Sequence, residues 1–269
     1  MQPPHSAPAR SRSPAASGTG GFNKTGPGTM LLTGTNDSTG GTTVGGGTLV
    51  VNGSIASSSL TTVASAATLS GSGTVGATLI EGGGFHAPGT SPGIQTITSG
   101  LEYQSAATLT WELVANTAAG RGTSYDGIDL TGGSLVVDPA AILALSFGTS
   151  GGGSSVSWSD SFPGGDRSWT IVDVGATATW DGSLFGVLSV GSDAFGQSLA
   201  SLRPDAGFSV ANVGGDLTLQ YRPCPSPPRS PWQSPAWRPS PRLRAGGCER
   251  SRPRSTVMRP AGHWPRSTV

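Results

Sequence analysis

Three short constellations in this chain have spacings that could do chemistry. Gly71-Ser72-Gly73-Thr74-Val75-Gly76 has the G-x-G-x-x-G spacing of a loop that cradles a pyrophosphate. Such a loop must open a helix, whose N-terminal N–H groups face the phosphates. The residues that follow, ATLIEGGG, read as strand and turn, so the motif is expected to be a corner in a β structure. Gly89-Thr90-Ser91-Pro92-Gly93 has the G-x-S-x-G spacing of a nucleophile elbow. There the residue after serine donates an N–H to the oxyanion, and Pro92 has none. His86, the only histidine between 24 and 221, precedes the serine instead of following it. A Pro-Gly turn is the expected role of this stretch.

Paired carboxylates are the third constellation. Two Asp or Glu residues across a cleft can hydrolyse a glycosidic bond, and the candidates are Asp126 with Asp129 and Asp160 with Asp166. Nothing in their spacing brings either pair together, and turn Asp residues commonly cap backbone amides. The same side chains could bind calcium, but the Gly-Gly-x-Gly-x-Asp nonapeptide is absent. Trp158, Trp169 and Trp180 could stack on sugars; packing in a core or cap is the plainer use of such residues. The expectation is therefore no catalytic, cofactor-binding or metal-binding residues.

The elements that would have to position these residues are short and β-rich. The 269 residues include 43 glycines and only 12% charged residues, unlike a compact α/β enzyme. Residues 24–221 carry four basic side chains (Lys24, Arg121, Arg167, Arg203) against fourteen acids, whereas 222–269 carry ten arginines and one acid, Glu249. Both cysteines, Cys224 and Cys248, lie in the basic part, which leaves the body no disulfide or thiolate metal site. No apolar run approaches the length of a membrane helix, and no apolar core follows Arg10 and Arg12, so no signal peptide is expected in the chain as it stands.

Apolar bursts recur at Met30-Leu31-Leu32 and Leu49-Val50-Val51. They continue at Thr68-Leu69, Thr78 to Ile80, Ile94 to Ile97, Thr108 to Leu113, Ile128 to Leu130, Leu135 to Val137 and Ile142 to Phe147. Gly, Ser, Asn or Asp fills most gaps, and no helical period is present. This pattern predicts an all-β, right-handed parallel β-helix in which each strand stacks on its equivalent one rung away. An antiparallel sandwich or barrel is the competing reading, above all beyond residue 150. From 154 to 221 the aromatic residues Trp158, Phe162, Trp169, Trp180, Phe185, Phe195 and Phe208 suggest a β cap or terminal β-unit. Strands are expected at Trp169 to Val174, Phe185 to Val190 and Phe208 to Tyr221. The expected organisation is a disordered segment at 1–22, a β-helix at 23–153, the cap at 154–221 and a disordered Pro/Arg-rich tail at 222–269.

Residues 24–53 resemble the autotransporter-associated β-strand repeat. Its Lys-x-Gly-x-Gly-Thr-Leu-x-Leu-x-Gly opening is matched by Lys24, Gly26, Gly28-Thr29-Met30, Leu32 and Gly34, with Met30 where leucine is usual. Its Gly-Gly-Thr-x-Val turn is matched by Gly40 to Val44. Ala67 to Gly76, Gly82 to Gly93 and Tyr125 to Val137 look like further rungs of such passengers. The resemblance implies an exported, surface or extracellular bacterial protein and supplies no catalytic residues. The expected role is structural or adhesive and non-catalytic, with extracellular polysaccharide or other surface proteins as partners, no nucleic acid and no membrane-spanning segment. The alternative is a carbohydrate-active β-helix enzyme, a polysaccharide lyase or glycoside hydrolase.

The tail has a second reading. Taken one frame over from the third base of the Pro223 codon, Pro223 to Pro227 permits Val-Pro-Glu-Pro or Leu-Pro-Glu-Pro. The same frame permits an apolar run followed later by Arg-Arg. This resembles the PEP-CTERM sorting signal, and on it the basic tail is a frameshift product. As written, eleven prolines among the 48 tail residues argue against a folded nucleic-acid-binding module despite Trp232, Trp237 and Trp264.

Overall fold

A computed structural model describes residues 10–13 (backbone only), 17–148, 155–160 and 164–223. All lie in the first of two compact units, Met1–Pro225; the second, Ser226–Val269, falls outside the described residues, and so do the sorting-signal reading and the disorder expected of the tail beyond 223. The strands are numbered in chain order. A first sheet contains β1 (Arg10–Ser13), β4 (Thr29–Leu32), β7 (Gly47–Val51), β10 (Ala67–Gly71), β13 (Phe85–Pro88), β16 (Thr108–Leu113), β19 (Ile142–Phe147) and β22 (Val187–Val190). A second contains β8 (Ser54–Ile55), β11 (Thr74–Val75), β14 (Ile94–Ile97), β17 (Gly127–Leu130), β20 (Arg167–Val174), β24 (Asp216–Arg222) and β23 (Gly207–Val213). A third contains β3 (Phe22–Lys24), β6 (Thr42–Val44), β9 (Thr61–Val63), β12 (Thr78–Ile80), β15 (Leu101–Tyr103), β18 (Gly133–Val137) and β21 (Ala178–Trp180). Two residues of β2 (Ser17–Gly18) pair with β5 (Asp37–Ser38).

The chain visits first, second and third sheet in turn, and every pairing from β1 to β22 is parallel. This is the expected right-handed parallel β-helix. Alternation makes it work: in Ala67-Thr68-Leu69-Ser70-Gly71 the odd positions are buried and the even ones are half-buried. Inward side chains stack into columns. The first sheet's column runs Met30, Leu49, Leu69, His86, Leu109, Leu143, Leu188. The third sheet's runs Lys24, Val44, Val63, Ile80, Tyr103, Val137. Each fully buried leucine in such a column contributes about 2 kcal/mol of apolar burial.

Successive residues of the first column are separated by 19, 20, 17, 23, 34 and 45 positions. The growth sits mainly at one corner, between the first and second sheets. There the connections are 52–53, 72–73, 89–93, 114–126 and 148–166. The other two corners never exceed six residues between strands from β8 to β22. Long insertions at one corner leave the stacked strands in register and place all the added chain on one edge of the solenoid.

Three expectations need correction. Residues 1–22 are not wholly without structure, because Arg10–Ser13 pairs with Thr29–Leu32 and Ser17–Gly18 with Asp37–Ser38. The exposed edge of a parallel sheet offers unpaired N–H and C=O groups that recruit even a sequence of poor strand propensity. The parallel ladder does not stop at 153; it continues through β20, β21 and β22. The run from Phe208 to Tyr221 is two antiparallel strands, β23 and β24, joined at Gly214-Gly215. Both glycines have positive φ, +68° and +105°, as a two-residue hairpin turn requires. β24 pairs antiparallel with β20 and covers the last parallel strand of the second sheet.

Aromatic side chains fill this end of the core. Trp111 packs edge-on to Trp169 at 5.8 Å, Phe147 to Trp158 at 4.7 Å, and Phe208 bridges Phe147, Trp158, Trp169 and Tyr221. Asp193 binds the 191–198 segment to it: its carboxylate accepts N–H bonds from Trp158, Phe195 and Gln197.

Candidate functional site

The corner between the first and second sheets gathers most of the residues singled out above. At its tightest, Gly71-Ser72-Gly73 turns directly from β10 into β11, and strand β12 follows. A Cβ on Gly73 would collide with the Gly53 carbonyl one rung below. The glycine spacing therefore serves backbone-to-backbone stacking, and no helix N-terminus is present to receive a phosphate.

One rung on, Gly89 to Gly93 forms a wider turn. Ser91 is exposed, has φ +70°, and its hydroxyl donates to Glu112 Oε2 at 2.7 Å. Gly93 N–H donates to Asp126 Oδ1 and Glu112 N–H to Asp126 Oδ2, each at 3.0 Å. Asp126 is 4% exposed, and burial pushes its carboxyl up to about 7, against the pull of those two N–H bonds; the nearby Glu112 charge pushes the same way. With one oxygen given to each amide, the carboxyl clamps the 89–93 turn to strand β16.

Of the two candidate carboxylate pairs, Asp126 with Asp129 is not brought together. Asp126 and Asp129 are an odd number of positions apart along one extended run and point to opposite sides. Asp129 faces outward, paired with Arg121 at 2.6 Å, and Arg121 also donates to the Ile128 and Thr170 carbonyls. Arg121 thus folds the 114–126 insertion over the outside of β17 and β20. Asp160 and Asp166 are both exposed, and residues 161–163 between them lie outside the described residues. Asp166 borders a shallow depression of about 500 Å³ with Arg167, Ser168, Gln220 and Arg222. Trp158 and Trp169 are 0% and 1% exposed, so neither presents a face to a sugar. Trp180 is half-buried, with its Nε1–H bonded to the Ser183 carbonyl.

His86 takes no part in the Ser91 hydroxyl's hydrogen bond to Glu112. It points inward from the leucine column, fully buried, with Nδ1 2.7 Å from Tyr103 Oη and Nε2 2.7 Å from Gln95 Oε1. Gln95 Nε2 donates to the Ser70 and Gly71 carbonyls, which fixes the amide with Oε1 toward the ring. Nε2 of His86 therefore carries the proton, and Tyr103 donates to Nδ1. Burial lowers the His86 pKa to about 4, partly offset by the Gln95 bond, and raises Tyr103 well above the ordinary phenol value. Gln95, Tyr103 and Glu112 were not singled out from the sequence. The available signals were a histidine in place of leucine in a regular column and a glutamine inside the apolar burst Ile94 to Ile97.

At the other end, Lys24 occupies an inward position of the third sheet's column, 7% exposed. Its ammonium donates to the carbonyls of Thr25, Gly26 and Gly46, at 3.1, 2.9 and 2.8 Å. All three ammonium protons are thereby placed, two at its own corner and one on the corner of the next rung. This accounts physically for lysine followed by glycine-rich corner residues: the side chain stitches one rung to the next through backbone oxygens.

Residues 22–51, which run from β3 through β7, match the passenger-associated-transport-repeat family model. No curated protein matches the chain significantly.

Proposed function

We propose that this chain is the passenger-type part of an exported protein, acting at the cell surface or outside the cell as a structural or adhesive scaffold without catalysis. The observation that carries the reading is the repeat match at 22–51, laid on rungs whose signature residues, Lys24 and the corner glycines, are used for stacking. Limited proteolysis of intact cells that express the native gene tests it. The chain should be cleaved from outside before lysis; recovery intact, with cleavage only after lysis, would sink the proposal.

The adhesive surface we favour is the outer face of the first sheet. From β4 to β22 one outward column reads Thr29, Thr48, Thr68, Phe85, Thr108, Ile142, Val187, without a charge; Glu112 lies on the same face, four positions along β16 from Thr108, and Arg10 continues the column on β1. The corresponding columns of the other sheets carry Asp129 and Asp173, and Glu102. In a body this acidic, an uncharged column suits a neutral polysaccharide or the apolar patch of a surface protein. Phe85→Glu and Val187→Glu should each lower co-sedimentation with matrix polysaccharide; unchanged binding by the double variant would exclude this face.

One observation favours the carbohydrate-active alternative: a carboxyl near neutrality, Asp126, beside Glu112, as acid–base pairs require. The clamp described above occupies both Asp126 oxygens with backbone amides, which leaves it a positioning role. Assays for new reducing ends and for unsaturated uronate across neutral and acidic polysaccharides should be blank. Turnover abolished by Glu112→Gln would favour the enzyme.

A further inference from the structure

The rung formed by β13, β14 and β15 differs from every other described rung in having a polar triad at its centre, one member from each sheet. His86 comes from the first, Gln95 from the second and Tyr103 from the third. All three are 0% exposed. The hydrogen-bond valences close on themselves: Tyr103 O–H to Nδ1, Nε2–H to Gln95 Oε1, and the Gln95 amide protons to the Ser70 and Gly71 carbonyls one rung below. The ring lies between Leu69 and Leu109 in its column and against the Tyr103 ring, with centroids 5.9 Å apart.

We propose that this triad is the joint of the solenoid: with a neutral imidazole it locks the rungs before it to those after it, and a second proton on the imidazole opens the structure at this rung first. An apolar column of leucines tolerates displacement by a whole rung, because one leucine replaces another. A histidine that must meet a glutamine and a tyrosine has one register only. The same closure makes it sensitive to acid. A proton on Nδ1 faces the Tyr103 oxygen, whose own hydrogen must then turn away into apolar surroundings. No carboxylate is placed to accept the new charge. The groups facing the ring are Tyr103 and Gln95; Glu102 and Glu112, on neighbouring strands, point outward, and Asp126 is held at the corner by the Gly93 and Glu112 amides. A solenoid transmits such a fault only between adjacent rungs, so opening is local before it is global.

Native-state hydrogen exchange on the full chain, corrected for intrinsic rates, tests the proposal between pH 7 and 4. In the Asp126→Asn chain, which removes the opposing titration of the corner carboxyl, protection of amides in 85–103 should fall by roughly tenfold per pH unit between about 6.5 and about 4, as linkage to one proton requires, while β6–β9 and β16–β19 stay protected. His86→Leu, which completes the leucine column, should abolish that pH dependence. If His86→Leu does not fold, Tyr103→Phe serves instead: losing the donor to neutral Nδ1 raises the folded pKa of the ring, so the loss of protection should still begin near 6.5 but level off at a higher pH than about 4. The proposal is overturned if the 85–103 amides lose protection only together with the whole chain, if adding His86→Leu keeps that pH dependence, or if Tyr103→Phe leaves its lower limit near pH 4 unchanged.

Discussion

The rungs before the His86 triad and those after it are built on different principles. Between Phe22 and Ile80 the corners between the first and second sheets are two residues long, and the only aromatic residue is Phe22. Cohesion there comes from repeated Leu, Val and Ile columns, from glycine corners in backbone contact, and from one lysine that stitches two rungs together. Between Ala107 and Arg222 the inserted corners are long, and one cluster of tryptophan, phenylalanine and tyrosine fills the core. The first region can be built by repetition; the second depends on particular side chains meeting once. A solenoid can therefore grow cheaply in one direction and still end, because the final rungs are made unlike the others.

The contrast is broken most severely at Trp111. Replacing it with alanine removes a fully buried ring that contacts Trp169 and Tyr125 and whose Nε1–H is bonded to the Asp126 carbonyl. The cost should be about 4 kcal/mol in urea unfolding. A loss below about 1 kcal/mol would show that the aromatic cluster is not what holds the later rungs. In the repeat region Gly73→Ala should cost about 2 to 3 kcal/mol, because its Cβ meets backbone and nothing flexible can give way. The same measurement on Gly207→Ala, where nothing lies within 4 Å, provides the reference and should show a far smaller effect.

Lys24→Met should cost about 2 kcal/mol, the usual worth of hydrogen bonds to a charged group. The loss should be confined to exchange protection in β3, β4 and β7. If protection falls equally in β19 and β20, the two regions are not independent.

The pH dependence separates them more finely. The folded value of His86 lies below the unfolded one near 6.5. The stability carried by its neutral ring is complete above 6.5 and is lost as pH falls toward about 4. Asp126 is the opposite case: its folded value lies above the model value of 3.8, so its contribution is complete below that and is lost as pH rises toward about 7. Each group gives a slope of up to about 1.4 kcal/mol per pH unit, and in the shared window the two oppose one another. Asp126→Asn should therefore uncover a stability that falls with acid between pH 6.5 and 4, read from urea midpoints. A flat profile in that variant would mean that His86 is not titrating as its burial requires.

Much of the architecture was legible in the sequence because it follows from alternation. Thr-Leu and Leu-x-Val bursts at regular spacing dictate short strands with one buried face, and glycine between them dictates corners. The same reasoning placed the G-x-G-x-x-G and G-x-S-x-G spacings at turns, where the structure has them. The hairpin within 207–222 was less legible, since a Gly-Gly pair reads equally as a loose stretch. The pairing of Arg10–Ser13 could not be seen at all, because it is driven by the edge it joins and not by its own residues. The contact of Asp126 with Glu112, fourteen positions away, was not legible for a similar reason: it exists only because β16 and β17 are joined by an insertion that folds back.

The sequence by itself determined the class of fold and the family that the opening repeat resembles. These rest on local period and local turn chemistry, which a chain carries from residue to residue. Only the tertiary structure decided what Lys24 does, why His86 is tolerated in a leucine column, which sheet carries a long uncharged outward column, and that the three polar residues of one rung close on one another. Those are facts about positions brought together from different turns of the solenoid. Rung lengths here vary from 17 to 45 residues, so no fixed spacing along the chain encodes which side chain will meet which.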